Sequence, residues 1–569
     1  MKSTIYLTLF ICLLLQLACV KDQTELIIPD ELTDIDQIRT YLRQAVADNN
    51  LIIGLDSTSN RDIPYCELQM EDESVVFFKK KWLDQAVSNP ADWRMHFAFT
   101  DNSQETALYL GDTIFWQEDS IRVNPSGEAP LTAIVPSSMP LKGRFGVKVF
   151  GKTPDGISIE GTLSEFGEGQ VIPILGLYPN YNNTVEITFL SPQGKVRARR
   201  QLQLQTGTVS SLPGLNITQN QLPADDDGIF FLSDGRQGFD QRGETRWIYT
   251  GDARYLFRKL QNGNLVVATA TGVIRYHSVA FEEINMLGET IRRYEVPNLM
   301  HHEVREMPNG NFLVASNSEL YTGSNWDGKG EEDYIVEIDR ESGEVVKSWN
   351  LNDILDNQRP RADGVENDDW LHLNGLYFNE ADNSIVLSSR HQSLLAKIDY
   401  ETGDLRWILA HPAGWGAEWL PYILQPVHTD GSPVDLANVD FLPYFLHAPA
   451  PLPDGSIAVY DNGNYRNFYE DPSVPQISYS RAVAYQIDEA AGTVQLAWQF
   501  DYEQSIFTIA TGDIDYFDHN QHRLIGFLNS GSNSPKIVEL DANDEIVFEA
   551  DFNLGSYYRC EKISLYDGL

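Results

Sequence analysis

The second half of the sequence repeats one short pattern, in which a polar tight turn joins two runs of apolar residues. The turn recurs at residues 261–264, 308–311, 380–383 and 453–456, with a fainter copy at 518–521. A second turn after an Ile-Asp pair follows several of these, as at Ser342-Gly343 and Thr402-Gly403. Each repeat therefore contains two hairpins, and units of roughly 45 to 75 residues made this way indicate blades of a β-propeller. Five repeats are clear, and residues 246–249 or the C-terminal strands could complete another. We therefore predict a six-bladed β-propeller over residues 211–569.

Short alternating strands also occupy the region before the repeats. Residues 94–99, 146–150 and 184–189 alternate apolar and polar side chains, and turns such as Pro154-Asp155-Gly156 separate them. This pattern predicts a small N-terminal β-sandwich domain over residues 91–210. The fold class expected for the chain is therefore all-β.

The N-terminus has the features of an export signal. Lys2 precedes an apolar run from Ile5 to Leu17, which is too short to span a bilayer but suits a signal peptide over residues 1–18. Cys19 follows a small residue, as at a lipoprotein cleavage site, although Gln16 stands where such sites usually have Leu. We expect an exported protein, periplasmic or at the cell surface, anchored to the membrane through lipidation of Cys19. Residues 19–90 are predicted to be a linker with short helices, the first capped by Thr33.

Two cysteines remain once Cys12 leaves with the signal and Cys19 is acylated. These are Cys66 and Cys560, close to the two ends of the mature chain. In an oxidising compartment they could form a disulfide, and they could equally be two buried thiols.

The charge of the chain limits its partners. Acidic residues outnumber basic ones by 82 to 42, which gives a formal net charge of −40. Such a surface repels phosphate backbones, so no nucleic acid partner is expected. A sulfate or phosphate substrate would need a local cluster of positive donors, whereas the acidity by itself can simply keep a secreted protein soluble.

Three blades carry a histidine at matching positions. His301-His302, His372 and His447 each precede a repeated turn, and Arg390 follows on the strand after His372. Equivalent positions of successive blades lie at one height around the axis, so these side chains should meet at the central channel. One such histidine is more often a structural group, but three in register with an arginine favour a shared polar site.

Histidines and an arginine form a donor cluster suited to a tetrahedral oxyanion. The same histidines could bind a metal, and Asp461 and Glu303 keep that alternative open. Against it, no H-x-H or H-E-x-x-H spacing occurs, and a nearby arginine would repel a cation. We therefore predict neither a metal nor another cofactor.

Several motifs resemble those of the bacterial aryl-sulfate sulfotransferases. They are residues 369–374 (DWLHLN), residues 389–393 (SRHQS), His447 ahead of residues 460–463 (YDNG), and residues 124–133 and 174–181 of the β domain. The resemblance runs from about residue 90 to near the C-terminus. It implies a six-bladed propeller that needs no adenylyl-sulfate donor and moves a sulfuryl group from a phenolic sulfate ester to a phenol.

The resemblance also implies roles for individual residues. His447 would be the nucleophile of a ping-pong mechanism through a sulfohistidine. The groups that would hold the sulfuryl oxygens are His302, His372, Asn374 and Arg390. His302 would act as the acid for the leaving phenol of the donor and as the base for the acceptor phenol. His301 could take this role in its place.

This sequence departs from the family pattern at two places. Gly375 stands where a small hydroxyl residue is expected, and no pair of close cysteines could brace His447. Some family members are dimers, so a homodimer stays open. Two other functions also stay open: a non-catalytic, surface-anchored propeller that binds a ligand, and a metal-dependent propeller lyase or hydrolase.

Overall fold

The computed structural model describes most of the chain from residue 120 onward. Its described residues are 120–137, 143–166, 170–190, 196–209, 215–233, 236–255, 257–271, 277–318, 333–361, 363, 369–435, 437, 440–466, 478–529, 534–552 and 557–569, preceded by the backbone of five short strands. The predicted signal peptide, Cys19 and the helix capped by Thr33 lie outside this part. Within it, no helix is long and apolar enough to cross a membrane.

Five strands precede residue 120. They are β1 (Ile52–Leu55), β2 (Pro64–Gln69), β3 (Val75–Lys79), β4 (His96–Phe99) and β5 (Thr106–Tyr109). The first three form one antiparallel sheet, and β4 pairs with β5. A linker with short helices over residues 19–90 is therefore an incomplete description. The run Val75-Val76-Phe77-Phe78 consists of β-branched and aromatic residues, which favour a strand over a helix.

The next seven strands form the predicted β-sandwich. They are β6 (Arg122–Val123), β7 (Ala133–Pro136), β8 (Gly143–Val149), β9 (Ile159–Phe166), β10 (Val171–Ile174), β11 (Asn182–Leu190) and β12 (Val196–Gln205). One sheet has the order β6-β7-β10 and the other the order β9-β8-β11-β12. In β11, Val185, Ile187 and Phe189 alternate with less buried residues and pack against Phe145 and Val147. This period of two confirms the sandwich prediction.

The rest of the chain is also built almost entirely of strands. They are β13 (Leu215–Asn220), β14 (Ile229–Leu232), β15 (Gln237–Phe239), β16 (Thr245–Ile248), β17 (Phe257–Lys259), β18 (Leu265–Ala268), β19 (Ser278–Ile284), β20 (Thr290–Glu306), β21 (Phe312–Ser316), β22 (Tyr334–Ile338), β23 (Val345–Asn350), β24 (Leu373–Asn379), β25 (Ser384–Ser389), β26 (Leu394–Asp399), β27 (Leu405–Leu409), β28 (Gln425–Pro426), β29 (His447–Pro451), β30 (Ile457–Asp461), β31 (Arg481–Asp488), β32 (Thr493–Phe500), β33 (Asp513–Phe517), β34 (His522–Phe527), β35 (Lys536–Leu540), β36 (Ile546–Phe552) and β37 (Cys560–Ile563). Helix α1 (Leu351–Ile354) follows β23, and two short 3₁₀ turns lie at Leu420–Tyr422 and Tyr502–Gln504.

These strands form successive antiparallel sheets, as the propeller prediction requires. The sheets are β37-β14-β15-β16, β17 to β23, β24 to β27, β29 to β32 with β28 beside β32, and β33 to β36 with β13 beside β36. The long strand β20 pairs with β19 through its first half and with β21 through its second half, and it has positive φ angles at Asn298, Leu299 and His302. Counting β20 twice, the described strands form six sets of four antiparallel neighbours; the exact number of blades stays a prediction.

The two ends of the propeller chain close the ring. Strand β13 from its beginning pairs with β36 from its end, and β37 pairs with β14. Pairing of early with late strands removes the open sheet edges that a linear array would expose.

The repeated turns explain why the sequence forms these hairpins. Gly263, Gly310 and Gly455 have φ angles of 82°, 87° and 83°. Their N–H groups donate to the carbonyls of Leu260, Met307 and Leu452, respectively. Glycine adopts this left-handed backbone with the least strain, so these three glycines mark where their hairpins turn.

Of the two alternatives left open for Cys66 and Cys560, the structure favours a buried thiol at Cys560, whereas the side chain of Cys66 lies outside the described residues. Cys560 is a free thiol at the start of β37, and its side chain is only 1% exposed. Its sulfur packs over Gly526, where an added Cβ would lie 2.7 Å from Sγ. The sulfur is thus enclosed in the propeller core, where its surroundings are those of a buried thiol.

Candidate active site

The predicted site residues meet because the inner strands of neighbouring blades lie side by side. Strand β24 packs against β20 on one side and β29 on the other. His302 lies in β20, His372 immediately precedes β24, and His447 is the first residue of β29. His302 and His372 both have φ angles of 52°, a backbone conformation that residues other than glycine rarely adopt. Equivalent positions of successive blades therefore converge at one end of the channel.

A cavity of about 400 Å³ opens at this place. It is lined by Arg254, Tyr255, His302, His372, Arg390, His447, Ala510, Thr511 and Tyr558. The structure thus brings together four of the residues singled out in the sequence, namely His302, His372, Arg390 and His447. Asn374 and His301 are not in this lining.

The tautomer of His447 is set by Asn462. The amide nitrogen of Asn462 donates to the backbone carbonyls of Thr508 (3.1 Å) and Thr511 (2.8 Å). Because carbonyls only accept, the amide oxygen must point the other way, and it lies 2.6 Å from Nδ1 of His447. Nδ1 therefore carries the proton, and the lone pair of the neutral ring is on Nε2.

The surroundings also keep His447 uncharged. Its side chain is buried, and burial is the main cause that holds its pKa well below the ordinary value. The positive charge of Arg390 acts in the same direction, whereas the hydrogen bond to Asn462 opposes it. A neutral imidazole with a lone pair on a cavity-lining residue is a nucleophile at neutral pH.

His301 forms a hydrogen bond with His302 that fixes its tautomer. Nε2 of His301 donates to the carbonyl of Ser316 (2.8 Å), so the Nδ1 of His301 carries a lone pair. The Nδ1–H of His302 donates to it at 3.0 Å, which leaves the lone pair of His302 on Nε2. Burial, and then the neighbouring histidines, hold the pKa of His302 well below its ordinary value. Of this pair, His302 is the residue that lines the cavity, and its tautomer suits a base.

His372 has a charged support. Its Nδ1 donates to Oδ2 of Asp369 at 2.8 Å. Burial alone would raise the pKa of Asp369, but His372 and His391 outweigh it and hold that pKa well below the ordinary value. The carboxylate can therefore stabilise a positive charge on His372. The His372 ring lies 4.7 Å from that of His302 and 4.4 Å from that of His391, measured between centroids.

Several contacts hold Arg390. One terminal nitrogen donates to Nε2 of His391 (2.9 Å), and the other donates to the carbonyl of Ile509 (3.1 Å). The guanidinium also lies over the ring of Phe445, 4.7 Å from its centroid. These contacts fix the plane of the guanidinium at the edge of the cavity.

Asn374 differs from the prediction that it binds substrate. Its amide nitrogen donates to the carbonyl of Leu446 (2.7 Å), and its amide oxygen accepts from Ser388 (2.7 Å). The first of these contacts lies next to His447, because Leu446 directly precedes it. In this structure Asn374 therefore braces the strand that carries the nucleophile candidate.

Five of the nine residues that line the cavity, Thr511 and Tyr558 among them, were not singled out in the sequence. Thr511 has a φ of 60°, and its buried hydroxyl has no hydrogen-bond partner within the described part of the chain. Tyr558 donates its hydroxyl to the carbonyl of Asn374 (3.0 Å) and presents its ring to His302 and His447. Thr511 lies just before β33, in the repeat whose turn is faintest, so no repeated pattern marked it.

The structure argues against the metal alternative. Among the described residues, one group has metal-ligand geometry, formed by Asp369, His372 and His391 with ligand atoms within 4.8 Å of one another. However, the side chain of Arg390 donates to His391, and a cation at this place would face the guanidinium. The earlier candidates are also engaged, since Asp461 pairs with Arg481 (2.8 Å) and Glu303 with Arg559 (2.7 Å).

A β-propeller whose cavity presents a neutral histidine nucleophile, further histidines and an arginine has the parts of an enzyme that transfers a tetrahedral oxyanion group. Comparison with known proteins identifies the family. Residues 220–559 match the family model Arylsulfotransferase (ASST), and residues 120–207 match the Arylsulfotransferase Ig-like domain. The chain belongs to the arylsulfotransferase family, and it is a sulfotransferase that is independent of adenylyl-sulfate donors.

Individual relatives agree with this assignment. The chain is 26% identical over 515 residues to arylsulfate sulfotransferase AssT of Escherichia coli, a match that covers 72% of this chain and 85% of that protein. It is 26% identical over 516 residues to the protein of the same name from Lelliottia amnigena, with the same coverage of 72% and 85%.

Solved structures show more distant likeness. A protein from Bacteroides fragilis described as a 6-phosphogluconolactonase has a TM-score of 0.33 and 12% identity, covering 74% of this chain and 98% of that one. The periplasmic gluconolactonase PpgL of Pseudomonas aeruginosa has a TM-score of 0.32 and 13% identity, covering 74% and 99%.

Proposed function

We propose that this enzyme moves a sulfuryl group from a phenolic sulfate ester to a phenol by a ping-pong mechanism through a sulfohistidine at His447. The observation that carries the proposal is the Asn462 contact, which leaves the lone pair of a buried, neutral His447 on Nε2. The two curated relatives, named as arylsulfate sulfotransferases, support the choice of donor.

In the first step, Nε2 of His447 attacks the sulfur of the donor. The N–S bond forms as the S–O bond to the phenol breaks, and the phenolate leaves with the electron pair of that bond. The ring becomes positively charged, and its Nδ1–H, 2.6 Å from Oδ1 of Asn462, donates more strongly to that oxygen. Arg390, the hydroxyl of Thr511 and the imidazolium form of His372, which all line the cavity, would donate to the sulfuryl oxygens as charge redistributes.

In the second step, the acceptor phenol attacks the same sulfur. Its proton moves to Nε2 of His302, the S–O bond to the acceptor forms, and the N–S bond breaks to restore neutral His447. A phenol has a pKa near 10, so a base at this position is needed at neutral pH. His302 lies beside the nucleophile in the cavity and carries its lone pair on the required nitrogen.

The test uses purified protein, a chromogenic aryl sulfate and a phenol. We expect coloured phenol to be released in proportion to acceptor, and protein quenched without acceptor to gain the mass of one sulfuryl group on the peptide that contains His447. His447→Ala should lose both signals. His428→Ala, which removes an exposed histidine, is the matched control and should keep them. Acceptor-dependent transfer that survives in His447→Ala would remove His447 as the nucleophile.

We also propose the cellular setting expected from the N-terminal sequence. The apolar run before Cys19 supports export to the periplasm or cell surface with a lipid anchor on that cysteine. Cys19→Ala should move the protein from the membrane fraction to the soluble fraction without changing its sulfotransferase activity. A homodimer is the remaining expectation, and light scattering of the purified enzyme tests it.

A further inference from the structure

The guanidinium of Arg390 is aligned by a residue that does not reach the cavity. His391 is 5% exposed and lies on the outer side of Arg390, between that side chain and the loop that carries Asp369. It is absent from the residues that line the cavity. Any effect of His391 on the reaction must therefore pass through a neighbour.

The tautomer of His391 is fixed by its two hydrogen-bond partners. Its Nδ1 donates to the backbone carbonyl of Asp369 at 2.7 Å, and a carbonyl can only accept. The lone pair of the neutral ring is consequently on Nε2, where it accepts from Arg390 at 2.9 Å. Protonation of Nε2 would replace this acceptor with a donor and would oppose the guanidinium.

The loop that holds His391 is itself rigidly held. The carbonyl of Asp369 also accepts from Arg361 (3.0 Å), and the side-chain amide of Gln392 donates to the carbonyl of Trp370 (2.8 Å). Buried Arg359 donates to the carbonyl of Gln392 (2.6 Å). The same residue, Asp369, supports His372 through its carboxylate. One loop residue is thus connected to two cavity side chains, directly to His372 and through His391 to Arg390.

We propose that His391 is a positioning residue for sulfuryl transfer, which holds the guanidinium of Arg390 in the plane that directs its remaining N–H groups at the sulfuryl oxygens. The inference rests on the proposed function. An arginine has five N–H donors in one plane, so fixing two of them on His391 and on the carbonyl of Ile509 sets the direction of the others.

The electrostatic surroundings of His391 agree with a neutral ring. Burial is the main cause that lowers its pKa to about 4, and the carboxylate of Asp369 opposes this effect. His372 and Arg390 are the other titratable or charged groups that face it, and both act to lower the pKa. The remaining ring contact, Phe445 at 6.0 Å, is uncharged.

Two single variants separate the role of Nε2 of His391, which accepts from Arg390, from that of Nδ1, which donates to the carbonyl of Asp369. In His391→Gln, the amide oxygen can occupy the place of Nε2 and accept from Arg390. In His391→Asn, the shorter side chain can still donate to the carbonyl of Asp369 but cannot reach Arg390. We expect His391→Asn to lower kcat and kcat/KM together, by about 10²-fold, because the lost alignment matters in the transition state. His391→Gln should retain most of the activity. Equal losses in the two variants would overturn the proposal.

A double-mutant cycle with Arg390→Ala gives the second test. If His391 acts only through Arg390, adding His391→Asn to Arg390→Ala should cause no further loss, so the two effects are strongly non-additive. A buried histidine elsewhere, His411, whose Nδ1 accepts from the N–H of Ala413, provides the control. The fold-loss of activity in the double variant His411→Asn with Arg390→Ala should equal the product of the two single fold-losses. Multiplicative losses for His391 as well would overturn the proposal, whereas wild type without transfer activity would instead refute the proposed function.

Discussion

The two sides of the cavity hold the same type of side chain by different groups. On one side, Nδ1 of His447 donates to the neutral amide of Asn462, and on the other, Nδ1 of His372 donates to the carboxylate of Asp369. An amide orients the ring but adds no negative charge, so His447 stays neutral and nucleophilic. A carboxylate orients the ring and also favours its positive form, which suits a donor to sulfuryl oxygens.

Under the proposed mechanism, one residue type would serve as nucleophile and as donor within one cavity. The two histidines differ in the group that accepts from Nδ1, which is the amide oxygen of Asn462 for His447 and the carboxylate of Asp369 for His372. This difference is reinforced by Arg390, whose charge further lowers the pKa of His447. Exchanging the supporting groups should therefore change the roles of the two rings.

The largest effect is expected from Asn462→Asp, which places a carboxylate behind the nucleophile. The new charge should raise the pKa of His447 and convert its ring to the unreactive imidazolium near neutral pH. We expect kcat/KM at pH 7 to fall by about 10³-fold and to recover partly as the pH rises. A pH–rate profile of the variant against wild type measures this. Unchanged activity at neutral pH would show that the amide is not what keeps His447 nucleophilic.

The converse variant, Asp369→Asn, should have a smaller effect. It keeps a hydrogen-bond acceptor for His372 but removes the charge that stabilises a cation there. The loss of one charged donor to the sulfuryl oxygens predicts a decrease in kcat of about 10²-fold, with KM changed little. Asp363→Asn, at a carboxylate that pairs with Arg361 in the same loop, is the matched control and should lose much less. Similar losses in the two variants would indicate that the loop, and not the charge, is what matters.

Much of this arrangement could be predicted from the sequence, because the repeat itself encodes it. Turn glycines such as Gly310 and Gly455 mark the hairpins, and the distance from each turn to His302 or His447 places both histidines on inner strands. The supporting groups could not be predicted in this way. Asn462 meets His447 across the hairpin of β29 and β30, and His391 meets Asp369 across the hairpin of β24 and β25, so both contacts depend on where side chains point.

Two further points of the sequence analysis had a similar limit. Chain position alone left both a disulfide and two buried thiols open for Cys66 and Cys560, because position does not show that Cys560 is enclosed in the core. Asn374 belongs to a recognisable motif, but its amide faces the carbonyl of Leu446 instead of the cavity. Sequence motifs identify the residues of a site more readily than their contacts.

A third prediction concerns stability, and it involves both sides of the cavity. Burial is the main cause that lowers the pKa of His447 well below its ordinary value and that of His391 to about 4. Between about pH 6.5 and pH 4 the unfolded chain therefore binds protons that the folded protein does not. The free energy of unfolding should fall with decreasing pH in this window, by up to about 1.4 kcal/mol per pH unit for each such proton.

Urea denaturation at several pH values from 7 to 5 measures this dependence. His447→Asn removes the buried histidine from one side and His391→Gln removes it from the other, and each variant should show a shallower dependence than wild type. Since the two residues have separate supporting groups, the two reductions should add. If the free energy of unfolding had the same pH dependence in wild type and in both variants, His447 and His391 would not be buried as neutral rings.

The smallest effect is expected from chelation, and it tests the side of Asp369. Asp369, His372 and His391 have metal-ligand geometry, but Nδ1 of His372 donates to Asp369 and Nε2 of His391 accepts from Arg390. A cation there would also have to remain beside the guanidinium of Arg390, against its charge. Activity after dialysis with a strong chelator should therefore equal that of untreated enzyme, and added Zn²⁺ should not increase it. Loss of activity on chelation, with recovery on adding a metal, would mean that the carboxylate of Asp369 coordinates an ion. The two sides of the cavity would then differ as a nucleophile and a metal site.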